Sequence, residues 1–471
     1  MRETAVLLER IRTGIPELDD VLTGGLPANS INVLMGLPGT GKTILAEQIA
    51  FANATSARPA LFLSTLSEPL EKFIAHGQTF DFFDASKVGR EVLYEDLGLA
   101  IRERGLSALP DVVAELVAER RPRIIVIDSF KALGSANGGG PDRRQILFDL
   151  ASMLATFECT TFLVGEYSEE SIADLPEFAI ADGVLQVLKY QSGMREERFL
   201  RIEKLRGSDS VPGLHAFRIG AGGISLFPRL LTPKVTPSYS DRGERMSTGI
   251  PGLDAMVEQG FWRGSTTLVA GPSGAGKTAL SLHFVHAGVR VEERGLYVGF
   301  QENPVQLARA LENFGWDPGD LLGGGGFEHM YRSPVEMQLD QVVLDLFRRV
   351  RQRKIRRVVI DALGDLRRSS FDRQRFTEYM YSLTQWFAVE GVTAILTLET
   401  PDLFETHRLS DEEISNMSDN ILLLRLTRAQ PMERTMSIIK TRNSAHDHSE
   451  RILRITSHGV AVDEATRPRA N

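Results

Sequence analysis

Two copies of a phosphate-binding loop, set at equivalent places in a long internal repeat, limit this chain more than anything else in it. Gly36-Leu37-Pro38-Gly39-Thr40-Gly41-Lys42-Thr43 and Gly271-Pro272-Ser273-Gly274-Ala275-Gly276-Lys277-Thr278 both fit G-x-x-x-x-G-K-[ST]. Each follows a mostly apolar run, Ile31 to Met35 and Thr266 to Ala270, and each opens a helix-like stretch. That setting is what the motif requires. Glycines let backbone N–H groups wrap phosphates, and the helix N-terminus adds a favourable dipole. Gly36, Gly39, Thr40, Gly41, Lys42 and Thr43 are the expected first cradle, and Gly271, Gly274, Ala275, Gly276, Lys277 and Thr278 the second. The lysines are expected at the β/γ-phosphates and the threonine hydroxyls at Mg2+. The chain should therefore bind two nucleoside triphosphates.

The repeat extends well beyond the loops. Lys42 and Lys277 lie 235 positions apart, as do Thr13 and Thr248 in the matching stretches Thr13-Gly14-Ile15-Pro16-Glu17-Leu18-Asp19 and Thr248-Gly249-Ile250-Pro251-Gly252-Leu253-Asp254. Glu68 and Glu302, Asp128 and Asp361, Glu166 and Glu399, and Lys204 and Lys440 keep nearly the same offset. A spacing this steady implies tandem duplication of a whole domain, not a short-period solenoid. The chain of 471 residues suits two domains, with residues 1–228 forming the first, 229–244 a linker carrying Pro233 and Pro237, and 245–471 the second. Apolar β-rich runs alternate with amphipathic stretches such as Gln145 to Ala155 and Gln338 to Val350. The fold class is therefore α/β, each domain a mostly parallel sheet flanked by helices.

Composition narrows the setting. A formal net charge of −8 disfavours indiscriminate binding to nucleic acid. The arginine-rich stretch Arg348 to Arg357 reads as a solvated helix end before a buried strand. The lone Cys159 excludes an intrachain disulfide and fits a reducing compartment. Met1 to Arg12 is charged and does not resemble a signal peptide, and no run approaches the roughly 20 apolar residues of a membrane span. A soluble, cytoplasmic protein with no membrane partner is expected.

Nucleotide hydrolysis needs a cradle, a metal anchor and a group that activates water. Asp128 and Asp361 end short apolar runs, where a carboxylate would join Thr43 and Thr278 in holding Mg2+. Glu68 and Glu302 also follow strands, and the carboxyl ends of neighbouring parallel strands converge on one crevice. They are the residues expected to activate water. A strand-end cap for the aspartates and a solvated loop position for the glutamates are the alternatives.

Taken together, the T-G-I-P-x-L-D stretch, both loops, Glu68 and Glu302, and the pairs Lys204/Arg206 and Lys440/Arg442 resemble the KaiC family over about residues 10 to 463. The resemblance implies tandem RecA-like P-loop domains, ATP with Mg2+ as ligand, and a homohexamer of two stacked rings. It implies ATP hydrolysis in the first ring and autophosphorylation of adjacent Ser and Thr residues in the second. Lys204, Arg206, Lys440 and Arg442 would then reach a neighbouring subunit's nucleotide, with Arg368 and Arg375 as further trans-acting arginines.

The chain also departs from that pattern. Where the family has two adjacent glutamates, this sequence has Ser67-Glu68 and Gln301-Glu302, and a glutamine at Gln301 orients a hydroxyl but does not readily accept its proton. The family's adjacent acceptors fall on Ser415 and Asn416, leaving Ser415 as the phosphoacceptor candidate, with Ser410 and Ser418 nearby. The chain stops soon after Asp463, without the long tail of the clock proteins. The leading reading is a hexameric signalling ATPase with serine autokinase activity. The alternatives are a nucleotide-dependent scaffold that recruits a protein signalling partner, and a RecA-like DNA-dependent ATPase.

Overall fold

The computed structural model describes residues 9–65, 69–135, 141–192, 195–233, 243–323, 325–335, 337–400, 416–428 and 430–463. Its contacts divide the chain into two compact units, Met1–Arg229 and Leu230–Asn471. Glu68, Ser410 and Ser415 lie outside the described residues.

In the first domain the sheet is built from β1 (Ile31–Met35), β2 (Ala60–Ser64), β3 (Val92–Asp96), β4 (Ile124–Asp128), β5 (Thr160–Gly165), β6 (Gly183–Ser192), β7 (Arg195–Leu205), β8 (His215–Gly220) and β9 (Gly223–Phe227). Their order is β9-β8-β7-β6-β1-β5-β4-β2-β3. The six strands from β6 to β3 run parallel, and β7 to β9 extend that sheet as an antiparallel meander. Continuous apolar runs such as Ile-Asn-Val-Leu-Met are buried along their whole length because helices cover both faces, so the strands do not alternate polar and apolar.

The second domain repeats this arrangement with β10 (Thr266–Gly271), β11 (Gly295–Gly299), β12 (Phe327–Tyr331), β13 (Arg357–Asp361), β14 (Thr393–Glu399), β15 (Asn420–Leu426), β16 (Arg434–Thr441), β17 (Arg451–Thr456) and β18 (Gly459–Val462). The order β18-β17-β16-β15-β10-β14-β13-β11-β12 matches the first sheet strand for strand. The chain therefore consists of tandem duplicated RecA-like domains.

In both sheets one strand, β5 or β14, stands between the strand that feeds the loop and the strand that ends in aspartate. The two helices that follow the loops are α1 (Lys42–Asn53) and α2 (Lys277–Val289). The arginine-rich stretch is the polar side of α3 (Leu339–Arg353), whose Leu339, Val342, Val343, Leu346 and Val350 are buried at helical spacing. Arg349 and Arg353 pair with Glu328, and Arg351 with Glu390. Arg357 is the exception: it is buried, and it donates to Glu293 at 3.0 Å and to the carbonyls of Ser247 and Phe284. Residues 230–232, read from the sequence as linker, dock on α4 (Arg373–Glu390). The Leu230 N–H donates to the Tyr379 hydroxyl at 3.2 Å, and Thr232 bonds Ser382 at 2.9 Å.

One difference between the halves concerns stability. In the first, the amide of Ile224 donates to Gln48 Oε1 at 2.8 Å; in the second, the amide of Val460 donates to His283 Nε2 at 2.7 Å. Gly459, at φ 104°, admits the ring, since a Cβ there would stand 2.0 Å from Nε2. Only neutral imidazole can accept this bond, and burial lowers the His283 pKa from 6.5 to about 4. The folded value is depressed, so the stabilisation is complete above about 6.5, the unfolded value, and is lost as pH falls towards about 4. Acidification across this window should cost the second domain on the order of 1–3 kcal/mol. Calorimetric melting of the full chain should show this loss, and His283→Gln should remove it.

Candidate functional site

Each candidate site forms where a loop, a helix start and three strand ends meet. At the helix starts Gly41 and Gly276 adopt φ 109° and 103°, a left-handed turn that swings the chain from strand into helix. Immediately after that turn, Thr43 Oγ1 donates to Asp128 Oδ2 at 2.7 Å, and Thr278 Oγ1 donates to Asp361 Oδ2 at 2.7 Å. The two pairs named from sequence for the metal are thus joined in both domains.

Both lysines fold back onto their own loops. Lys42 Nζ donates to the Leu37 carbonyl at 2.9 Å, and Lys277 Nζ to the Gly271 and Pro272 carbonyls at 2.9 and 2.8 Å. Burial lowers both lysine pKa values, opposed by Glu166 and Asp128 in the first site and by Glu399 and Asp361 in the second. A polyphosphate would supply the counter-charge that these ammonium groups otherwise draw from nearby carboxylates.

The second cavity, about 390 Å³, is lined by Gly274, Gly276, Lys277, Thr278, Gln301, Glu302, Asp361 and Glu399. It brings together most of the residues proposed for that half. Glu302 has its pKa raised by burial first and by the charge of Asp361 second. Gln301 Nε2 donates to Asp365 Oδ2 at 3.1 Å, so its amide is oriented by the segment that follows β13. The first cavity, about 960 Å³, contains Gly39, Gly41, Lys42, Thr43 and Asp128.

Glu166 and Glu399 reach the cavities although sequence reasoning gave them no role. Each follows or ends the strand inserted beside the loop strand. Their constant offset was visible, but their strand's place in the sheet was not. Lys131, on the helix after β4, and Arg198, on β7, also line the first cavity, and no motif or repeat offset singled them out.

Lys204, Arg206, Lys440 and Arg442 are not brought to the cradle of their own domain. Lys204 pairs with Val184 and the Arg206 amide bonds Asp182 O, at the start of β6 and beside the beginning of β1. The loop leaves the other end of this five-residue strand, roughly 13 Å away at about 3.3 Å per residue. Lys204 donates to Phe178 O and Arg206 to Ala179 O, both at 3.1 Å, while Lys440 donates to Ser418 O at 2.7 Å and Arg442 pairs with Asp419 at 3.8 Å. Arg375, expected to act on a neighbour, binds both oxygens of buried Asp340 at 2.7 Å within its own domain. Arg368 pairs with Asp365.

Among the described residues, no group of three His, Cys, Asp or Glu side chains could hold a metal. One threonine hydroxyl beside one carboxylate at each cradle suits Mg2+, which usually keeps waters and substrate phosphates in its shell and needs few protein ligands. Among the described residues, no helix is long and apolar enough to cross a membrane.

The fold and the paired cradles define a tandem P-loop protein with two candidate nucleotide sites. Comparison with known proteins names the family: the pattern described as "ATPase: KaiC" matches residues 11–230 and again 246–467, and the chain belongs to that family. It is 28% identical over 473 residues to the circadian clock oscillator protein KaiC of Picosynechococcus sp., covering 98% of this chain and 90% of that protein. It is 29% identical over 474 residues to the circadian clock protein KaiC3 of Synechocystis sp., covering 98% and 93% respectively. The protein is thus a KaiC-like ATPase.

Titration calorimetry should find two nucleotides per wild-type chain and one in either Lys42→Ala or Lys277→Ala. The double variant should bind none.

Proposed function

We propose that this chain hydrolyses ATP slowly at two Mg2+-dependent sites, and that ATP assembles it into a ring of six chains. The observation that carries the reading is the cradle repeated in both domains, each with its threonine–aspartate bond, while the repeated basic pairs sit at the far end of the loop strand. A cation at that end cannot serve its own cradle but in a ring would face a neighbour's. In the second site Lys277 would neutralise phosphate charge, Thr278 and Asp361 would hold Mg2+, and Glu302 would accept a proton from attacking water. Mg2+ would supply charge neutralisation of the phosphates. Glu68 is assigned the same role as Glu302 in the first site. A cytoplasmic setting accords with buried, unpaired Cys159.

A second activity has support from one contact. Arg442 donates to the carbonyl of Asn416, which holds the residue after Ser415 beside the basic pair of β16. A segment held there would be presented to the same neighbouring nucleotide, making Ser415 the acceptor for serine autophosphorylation with Glu302 as base. Without such transfer, the rings act as a nucleotide-dependent switch that recruits a protein partner.

Glu302→Gln should lower phosphate release from the second site by about 10²–10⁴-fold. Because Glu302 must be ionised and its pKa is raised, turnover should fall on acidification at a pH above the ordinary glutamate range, near 4.3. That acidic limb should be absent from the variant's pH–rate profile. Sedimentation with a non-hydrolysable ATP analogue should show a species near six chains, and a monomer at micromolar protein would refute the trans arrangement. Peptide mass spectrometry after long incubation with ATP and Mg2+ should find phosphate on Ser415; an unmodified serine there leaves the switch.

A further inference from the structure

The two metal arms are built differently. Asp361 ends β13 and is almost fully buried, at 6% exposure, whereas its counterpart Asp128 is only half-buried. Besides Thr278, two further hydroxyls donate to Asp361. Tyr297, on β11, reaches Oδ2 at 2.7 Å, and Thr397, on β14, reaches Oδ1. Neither donor side chain is exposed to solvent.

The first domain has no hydroxyl at either place. Ser64 pairs with Asp128 and Gly299 with Asp361, so Phe62 holds the position of Tyr297. Ile127 pairs with Leu163 and Ile360 with Leu396, so Val164 holds the position of Thr397. Phe62 packs its ring against Phe73 and Tyr94, at centroid distances of 5.2 and 6.0 Å. The aromatic body is kept while the oxygen is added only in the second domain.

A buried carboxylate without donors is costly and free to rotate, whereas each charge-assisted bond both stabilises the anion and fixes its direction. With Thr397 on Oδ1 and Tyr297 on Oδ2, the carboxylate of Asp361 is held with Oδ2 towards Thr278. We propose that Tyr297 and Thr397 are positioning residues that preset Asp361 for the metal of the second nucleotide site, where the first domain has Phe62 and Val164 instead. The inference rests on the reading of that site as a Mg2+–nucleotide site. Neither residue lines the cavity, so both act through the Asp361–Thr278 pair.

The test uses the full chain carrying Lys42→Ala, so that only the second site reports. A fluorescent non-hydrolysable ATP analogue is titrated in EDTA and then across a Mg2+ series. Tyr297→Phe and Thr397→Val should each leave the EDTA affinity within about twofold, since the cradle is untouched. Each should raise the Mg2+ midpoint by about tenfold, the scale of one charge-assisted hydrogen bond. Thr397→Ser, which keeps the hydroxyl, should restore the midpoint. Because Tyr297 is buried, thermal melting is followed in parallel, and Thr397→Val against Thr397→Ser provides the comparison if Tyr297→Phe does not fold. An unchanged Mg2+ midpoint in Thr397→Val with intact EDTA binding overturns the proposal while leaving the site reading in place. Analogue binding with no Mg2+ dependence in the parent overturns both.

Discussion

Everything at these sites depends on a single hydrogen bond made twice, from the first-turn threonine of a helix to the aspartate at a strand end. Thr43–Asp128 and Thr278–Asp361 each span an intervening strand, so the bond forms only when the loop strand, the inserted strand and the aspartate strand are all in register. A slip of one residue would turn the carboxylate to the opposite face of the sheet. Register in a parallel sheet is set by burial on both faces, which here comes from apolar clusters packed on each side. Core packing and chemistry are therefore coupled: the same strands that bury Val126 and Val359 deliver Asp128 and Asp361.

Duplication has let the two halves keep one backbone and change its side chains. Gln48 and His283 both accept an amide from the meander, but only the histidine makes that support depend on pH. Phe62 and Tyr297 fill the same place beside the aspartate strand, but only the tyrosine can bond the carboxylate. In each case volume is conserved and polarity altered, which is the cheapest change a packed interior tolerates when the new polar atom finds a partner. Among the described residues, the second domain adds two hydroxyls around its strand-end aspartate at places where the first has Phe62 and Val164. The first relies there on an aromatic cluster of Phe62, Phe73 and Tyr94.

Of the basic residues read as trans-acting, four lie at the far end of the loop strand, whereas Arg368 and Arg375 pair with carboxylates of their own domain. Asp340 is buried, and leaving it unpaired would cost several kcal/mol, so the bidentate contact with Arg375 and the Tyr379 hydroxyl meet a demand created by packing. Tyr379 in turn accepts the amide of Leu230, so the beginning of the inter-domain segment is fixed to the second domain by the same group. The sequence pattern alone carries no sign of this network, because Asp340, Arg375 and Tyr379 are ordinary residues of two amphipathic helices.

The local motifs were legible because they depend on residues adjacent in the chain. Glycines at Gly41 and Gly276 permit the positive φ of the turn, apolar runs specify buried strands, and a constant offset reveals duplication without reference to space. Strand order was not legible, since any of several parallel arrangements satisfies the same runs. The placement of β5 and β14 beside the loop strand is what carries Glu166 and Glu399 to the cavities, and likewise Thr397 to Asp361. The sequence by itself determined which groups could bind phosphate and metal, because that capacity resides in single side chains and short turns. Only the tertiary structure decided which of them meet, because hydrogen bonds act over about 3 Å and the partners lie 36 to 85 residues apart.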